Sequence, residues 1–131
     1  MSPSRCRSVT GLEITMKSII KEGDIVLAPF RFSETEERKM RPCLVFNTDA
    51  VSASLVCITS KKLVKAFETE VVLTAEESAS AGLTKASKLD FAKRDRIPFC
   101  EVVKALGHIS SLPRARIAEC FKAAKAAGLI D

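Results

Sequence analysis

The sequence predicts a mainly β protein (β+α), a small closed or half-closed β-barrel with one C-terminal α-helix. Short apolar runs recur along the middle of the chain with turn signals between them, which is typical of small barrels rather than parallel sheets. Only the last segment has apolar residues at helical spacing. The 131 residues, 47% hydrophobic and 28% charged, suffice for one domain with a buried core.

The predicted strands are short and bounded by turns or prolines. A Gly-Asp turn precedes the first strand, residues 25–28, which Pro29 ends. Pro42 lies near the start of the second, residues 41–47, where a strand tolerates proline. The remaining predicted strands are residues 55–59, 68–73, 88–91, 94–99 and 102–109.

The last segment predicts a helix. Ser110 or Ser111 can cap its N-terminus, Pro113 lies in its first turn and Gly128 ends it. We expect its apolar stripe to lie across the barrel. The stripe consists of Ile117, Cys120, Phe121, Ala124 and Ala127.

Domain organisation follows from where the patterning begins. Residues 1–15 lack periodicity, so we expect a disordered leader there and a single domain over residues 16–131. Met16 is an alternative translation start. No apolar run approaches the roughly 18 residues of a membrane span, so no membrane partner is expected. Five cysteines without a Cys-x-x-Cys pair argue against a disulfide scaffold or a zinc site, and favour the cytoplasm.

The charge balance allows a polyanion as partner. The net charge is +5, from 21 Lys and Arg against 16 Asp and Glu, although a mildly basic chain is also common for solubility alone. Residues 80–108 hold six basic residues against three acidic ones. The chain has seven Phe but no Trp or Tyr, and we expect most of the Phe in the core. Nucleic acid would therefore be held by phosphate contacts rather than by stacking on aromatic rings.

Four blocks of the sequence occur in an order and spacing that resemble a known family. The first is GDIVLAPF at residues 23–30, followed by a polar loop and KMRPCLV at 39–45. ITSK at 58–61, GLTKAS at 82–87 and LGHIS at 106–110 follow. Together, over residues 17–129, they resemble the MazF/PemK family of toxin endoribonucleases.

The resemblance implies an SH3-like barrel with a C-terminal helix, usually a homodimer. It implies cleavage of single-stranded RNA without metal or other cofactor. It also implies a small cognate antitoxin that occupies the RNA groove.

RNA cleavage without metal needs a deprotonated 2′-OH, charge stabilisation on the pentavalent phosphate and a protonated leaving oxygen. Arginine suits the second task because it is always charged and donates two parallel hydrogen bonds. Arg41 matches the catalytic arginine of the family. Thr59 matches a position in catalysis or substrate binding, although Thr and Ser are also ordinary residues at strand ends. The expected RNA-binding residues are Ser60, Lys61, Lys85, Lys88, Lys93 and Arg94.

The general base stays open at the level of sequence. Some members of the family place an arginine and an aspartate two residues apart after the GL-x3-S block, but this chain has Asp90 and Ala92 there. Asp90, Asp95 and Glu37 are the candidate bases. The lone histidine, His108, is expected to be structural, and Cys43 and Cys57 are expected in the core.

The departure near Asp90 leaves a second hypothesis open. A non-catalytic barrel of the same fold would act by binding a protein, as a gyrase poison does, or by binding nucleic acid. A generic structural domain is a third possibility.

Overall fold

A single antiparallel sheet of six strands, curled into a half-barrel, is the framework of the fold. The computed structural model describes residues 20–31 and 38–130. The predicted leader and Glu37 lie outside the described residues. The elements are β1 (Asp24–Arg31), β2 (Arg38–Thr48), β3 (Ser52–Thr59), β4 (Glu70–Val72), α1 (Ala75–Ser80), β5 (Lys88–Pro98), β6 (Lys104–His108) and α2 (Arg114–Ala126), with 3-10 turns at Phe99–Glu101 and Ile109–Ser111.

The strand order is β4-β5-β3-β2-β1-β6, and every neighbouring pair is antiparallel. β2 and β3 therefore lie in the middle, where Cys43 faces Cys57. Because side chains alternate along a strand, each central strand contributes to both faces of the sheet. The predicted mainly β fold with a C-terminal helix is confirmed.

Each face of the sheet carries its own hydrophobic core. Leu44 and Ile58 belong to the core that α2 covers, and Cys43 and Cys57 belong to the second core. The predicted stripe of α2 packs against the first core at Ile117, Cys120, Ala124 and Ala127. Phe121 does not, since 63% of it is exposed.

β1 runs past Pro29, contrary to the prediction. The carbonyl of Leu27 accepts a hydrogen bond from Val103 N–H on the β6 side. Pro29 lies two residues further along and faces the same side, where pairing with β6 has already ended. Because proline has no N–H to donate and no strand pairs there, no hydrogen bond between strands is lost, and β1 continues to Arg31.

β5 joins two segments that the sequence predicts as separate strands. Val56 on β3 pairs with Arg94, while the next residue, Cys57, pairs with Asp90. Residues 91–93 therefore form a bulge without partners on β3, and the strand continues on either side of it.

The helix ends also differ from the prediction. Pro113 occupies the N-cap position of α2, and no side chain there accepts a hydrogen bond from the first turn. Ser110 and Ser111, which were predicted to cap the helix, lie in the preceding 3-10 turn. Helix α1 was not predicted, although Thr74 and Glu77 form a capping box at its start. In the described residues no helix is long and apolar enough to cross a membrane.

Candidate active site

A pocket of about 300 Å³ lies where β2 begins and β3 ends. It brings together five residues that the sequence predicts for the site, from three separate segments of the chain. These are Arg41, Thr59, Ser60, Lys61 and Lys85. The other lining residues are Pro42, Ile58, Leu83, Thr84 and Ser87.

The register of the two central strands places Arg41 and Thr59 together. Cys43 faces Cys57, and continuing the antiparallel register by two residues on each strand places Arg41 opposite Thr59. Both side chains are half-buried. Pro42 fixes one backbone angle directly after the arginine. A guanidinium and a hydroxyl thus share one face at the wall of the pocket.

The hydroxyl of Thr59 is positioned by the turn that follows it. Its Oγ1 accepts a hydrogen bond from Lys61 N–H at 3.2 Å. A hydroxyl that accepts one bond still has its own hydrogen to donate. Thr59 can therefore donate to a ligand oxygen, with Ser60 and Lys61 exposed beside it.

The positive charge of Arg41 acts on the two thiols beneath it. Burial raises the pKa of the Cys57 thiol, and the charges of Arg41 and Lys93 oppose part of that rise. Burial also raises the pKa of Cys43, as does its neighbour Cys57, while Arg41 again opposes the rise. Both thiols stay protonated near neutral pH, so neither is an activated nucleophile.

The segment 82–87 forms the opposite wall of the pocket. Gly82 has φ +90°, and a Cβ there would lie 2.0 Å from the carbonyl oxygen of Leu106, so only glycine fits. Ser87 N–H donates to Ser78 Oγ at 3.1 Å, and Ser87 Oγ donates to the Lys85 carbonyl at 2.8 Å. These contacts hold the backbone that carries Lys85.

Thr84 and Ser87 also line the pocket and were not among the predicted site residues. Their signal was present, because both belong to the GLTKAS block that resembles the family.

Three other predicted residues lie in a second, larger cavity of about 650 Å³. We call its polar side the basic groove, formed by Arg31, Lys93, Arg94, Asp95 and Arg96. The carboxylate of Asp95 accepts hydrogen bonds from the backbone N–H groups of Arg31 and Arg96, at 3.1 and 2.8 Å. Lys93 and Arg94 are exposed there.

Two predicted residues are buried beside the pocket rather than in it. Lys88 Nζ lies 3.1 Å from Glu70 Oε2, and its side chain is only 8% exposed. Asp90 is buried, accepts a hydrogen bond from Ala92 N–H at 3.1 Å and faces Cys57 across the sheet. The prediction that Lys88 binds RNA stays untested, and its geometry favours a structural role.

His108 ends β6 and lines neither the pocket nor the larger cavity. Its Nδ1 is 2.9 Å from Ser110 Oγ, and its Nε2 is 3.2 Å from the carbonyl oxygen of Glu22. It thus ties the turn before α2 to the chain entering β1, as expected for a structural histidine. Among the described residues, no group of three or more His, Cys, Asp or Glu is placed to hold a metal ion.

Comparison with solved structures supports the fold. A Mycobacterium tuberculosis toxin MazF-mt6 superposes with a TM-score of 0.61 at 21% identity, covering 82% of this chain and 98% of that chain. An endoribonuclease in complex with its cognate antitoxin, from a mycobacterial species, gives 0.60 at 14% identity, covering 86% and 98%. A MazE-MazF structure from Deinococcus radiodurans gives 0.56 at 18% identity, with the same coverage.

Sequence comparison gives the family. Curated protein sequences contain no significant match to this chain. The profile described as PemK-like, MazF-like toxin of type II toxin-antitoxin system matches residues 21–127, most of the chain and all of the pocket. Because this match covers well over half of the chain, the chain belongs to the PemK-like, MazF-like toxin family of type II toxin–antitoxin systems.

Proposed function

We propose that this toxin is an endoribonuclease that cleaves single-stranded RNA without a metal ion. The 2′-oxygen of one nucleotide would lose its proton and attack the adjacent phosphorus, the bond from phosphorus to the 5′-oxygen of the next nucleotide would break, and that oxygen would take up a proton, leaving a 2′,3′-cyclic phosphate and a 5′-hydroxyl. The observation that carries the proposal is the convergence of Arg41, Thr59 and two lysines on one pocket. Such a site supplies fixed positive charge and hydrogen-bond donors where a phosphate accumulates negative charge.

The chemical roles follow from the donor inventory of the pocket. Arg41 places two parallel N–H donors on the non-bridging oxygens of the pentavalent phosphate. Thr59 donates its hydroxyl hydrogen to one of those oxygens. Lys61 and Lys85 add charge at the rim, and Ser60 adds a further hydroxyl.

The path of the RNA extends from the pocket to the basic groove. Val56 lines the larger cavity and Ile58 lines the pocket, so the two cavities meet β3 only two residues apart. Lys93 and Arg94 would hold phosphates on the strand leading away from the cleavage site. These contacts add affinity without reading sequence.

For the general base, Asp90 fits better than Asp95. Asp90 pairs with Cys57, which lies two residues before Thr59 on β3. Both oxygens of Asp95 accept backbone hydrogen bonds at the edge of the basic groove. Glu37 remains a candidate on sequence grounds.

The partners follow from the family. Two of the similar solved structures contain an antitoxin or the MazE partner. We propose that a cognate antitoxin covers the pocket of this chain, that the toxin is a homodimer, and that it acts in the cytoplasm on messenger RNA.

The test is incubation of the purified protein with single-stranded RNA in excess EDTA, followed by gel analysis of fragments. We expect cleavage by the wild type and a loss of about 10²-fold or more in Arg41→Ala, the scale for removing one charge-stabilising donor. Arg114→Ala is the matched control, since Arg114 is exposed at the start of α2 and lines neither cavity. Cleavage that requires added metal, or that survives Arg41→Ala, contradicts the mechanism.

One observation favours the non-catalytic alternative. The residues that line the pocket include neither a carboxylate nor a histidine, so its wall holds neither of the groups that most often serve as a general base. Under this alternative the pocket binds a nucleic acid or a protein without cleaving it. Growth arrest on expression without RNA fragmentation would select it.

A further inference from the structure

The segment after β3 exposes large apolar side chains among lysines. We call residues 60–67 the lysine loop. Val64 is 72% exposed and Phe67 is 68% exposed. Lys61, Lys62 and Lys65 are also exposed, and residues 60–67 contain no acidic residue. Leu63 is also 37% exposed, and large apolar side chains that are exposed near one another mark interaction sites more often than ones scattered singly.

A buried ion pair holds the backbone of this loop. The ammonium of Lys88 donates to the carbonyl oxygen of Val64 at 3.3 Å and lies 3.1 Å from Glu70 Oε2. Glu70 Oε1 accepts from Ala66 N–H at 2.7 Å, and Glu70 N–H donates to the Phe67 carbonyl at 3.1 Å. Two buried charges thus fix residues 64–67, so the Phe67 ring is held outward on an ordered backbone.

The anchor of the loop adjoins the pocket. In the sheet Lys88 pairs with Thr59 on one side and with Val72 on the other. The loop itself begins at the pocket wall, since Ser60 and Lys61 line it. A chain lying in the pocket that continues over the end of β3 therefore meets the lysine loop next.

We propose that Phe67 stacks against an unpaired base of the single-stranded RNA beside the cleavage site, while the lysines of the loop hold the flanking phosphates. Stacking on an aromatic ring accepts any base because every base has a π face, and lysines beside the ring supply the backbone contacts. The inference rests on the proposed function for the identity of the ligand. It also revises the expectation from composition that stacking is not used.

A protein partner fits this surface less well. Lysine is depleted at the cores of protein interfaces because its ammonium is strongly hydrated. Here Lys65 lies between the two exposed apolar residues, Val64 and Phe67. The charge pattern matches a polyanion.

The chain offers a direct reporter. Because it contains no Trp or Tyr, Phe67→Trp introduces a single indole whose fluorescence reports on its own surroundings. We expect single-stranded RNA to quench this fluorescence as a base stacks on the ring. Phe121→Trp is the matched control, since Phe121 is 63% exposed on α2 and we expect no quenching there.

Affinity provides the second measurement, made with an RNA that carries 2′-deoxyribose throughout the cleavable positions so that binding does not depend on cleavage. We expect Phe67→Ala to weaken binding by about 5- to 100-fold, the range for loss of one stacked base. Phe67→Leu should weaken it almost as much, because it keeps apolar bulk but no ring. Removing the base at the stacked position of the RNA should weaken its binding to the wild type. The same change should not weaken its binding to Phe67→Ala, which has no ring for the base to stack on.

The outcomes separate this inference from the proposed function. Binding with quenching but no cleavage of ordinary RNA overturns the nuclease and leaves the stacking intact. Cleavage with unchanged RNA affinity in Phe67→Ala and Phe67→Leu overturns the stacking alone. Unchanged RNA affinity with lost self-association or antitoxin binding assigns the loop to a protein, and absence of any RNA binding overturns both proposals. Urea unfolding of each variant controls for folding.

Discussion

Lys88 and Glu70 form an ion pair inside the protein, with Nζ and Oε2 3.1 Å apart and side chains 8% and 5% exposed. Each charge also has a backbone partner in the loop that the pair secures, the Val64 carbonyl for Lys88 and the Ala66 N–H for Glu70. Charges removed from water in this way are tolerated only when each is compensated. The pair therefore joins the stability of the fold to the shape of the lysine loop.

Removing one member of this pair should be costly. We expect Glu70→Gln to lower the free energy of unfolding by about 3–5 kcal/mol, because it leaves the Lys88 ammonium buried without its counterion. Urea unfolding measures the change. The control is Glu101→Gln, which breaks the more exposed Arg38–Glu101 pair at 2.8 Å and should cost less than about 1 kcal/mol. Equal losses in the two variants would contradict the assignment.

Stability should fall at acid pH, partly through Glu70. Burial acts to raise the pKa of Glu70, but the Ala66 N–H and Lys88 outweigh it and hold the pKa below its usual value. A carboxylate whose pKa is lowered by folding stabilises the protein above its unfolded pKa, about 4.3 for Glu, and loses that contribution as pH falls through the folded pKa.

The pH dependence has other contributors. Hydrogen bonds from the backbone of Val51 and Ser52 lower the pKa of Asp49 to about 2, and a hydrogen bond from the Thr74 backbone lowers that of Glu77. We therefore expect Glu70→Gln to reduce, but not abolish, the drop in unfolding free energy between about pH 7 and pH 3. An identical drop in the wild type and the variant would show that Glu70 is not perturbed.

The hydroxyl of Thr59 should matter for cleavage and not for the fold. Thr59→Val keeps the shape of the side chain and removes the donor, so we expect RNA cleavage to slow by about tenfold or more, through loss of one hydrogen bond to a developing charge. Single-turnover cleavage under saturating enzyme is the measurement. Thr48→Val is the control, at the far end of β2 and outside both cavities.

Gly82 should tolerate no side chain. Gly82→Ala forces a Cβ to within 2.0 Å of the Leu106 carbonyl oxygen at φ +90°, so β6 or the pocket wall must move. Gly128→Ala is the matched control, because Gly128 has a similar φ of +80° but nothing within 4 Å of the added Cβ. We expect the control to cost about 1–2 kcal/mol from the left-handed backbone, and Gly82→Ala to cost clearly more. Thermal unfolding compares the two, and equal losses would remove the steric argument.

The buried thiols should be inert in the folded protein. Cys43, Cys57 and Cys120 are free and buried, and burial raises the pKa of Cys120 to about 12. We expect iodoacetamide to label these three residues only after unfolding in urea, as read by peptide mass mapping. Labelling of Cys57 in the native protein would show that solvent reaches this buried thiol, contrary to the prediction.

The sequence alone predicts the central strands, and the resemblance to the family selects the candidate residues around the pocket. The second and third strands were located by their apolar runs, and Arg41, Thr59, Ser60, Lys61 and Lys85 do lie around one cavity. The apolar runs mark the strands, whereas the candidate site residues come from the order and spacing of the four blocks that resemble the family. The role of each residue in catalysis stays a prediction.

What sequence reasoning missed depends on long-range pairing. From the sequence, Lys88 is one of several basic residues after residue 80, and nothing indicates that it is buried. Its burial follows from its ion pair with Glu70 on β4. Phe67 reads as a core residue because phenylalanine is usually buried, and its exposure follows from the loop anchored by that pair. Helix α1 was missed although its capping box was visible, because six residues give little helical periodicity.

The bulge at residues 91–93 has a consequence for how this toxin can change. The part of β5 that begins at Lys88 supports the pocket wall and the lysine loop, while the part that begins at Arg94 lines the basic groove. Because the bulge interrupts the ladder with β3 between them, the two parts do not share one continuous hydrogen-bond register. Under the proposed function, the mutations that change how much RNA is held therefore need not be those that change its cleavage.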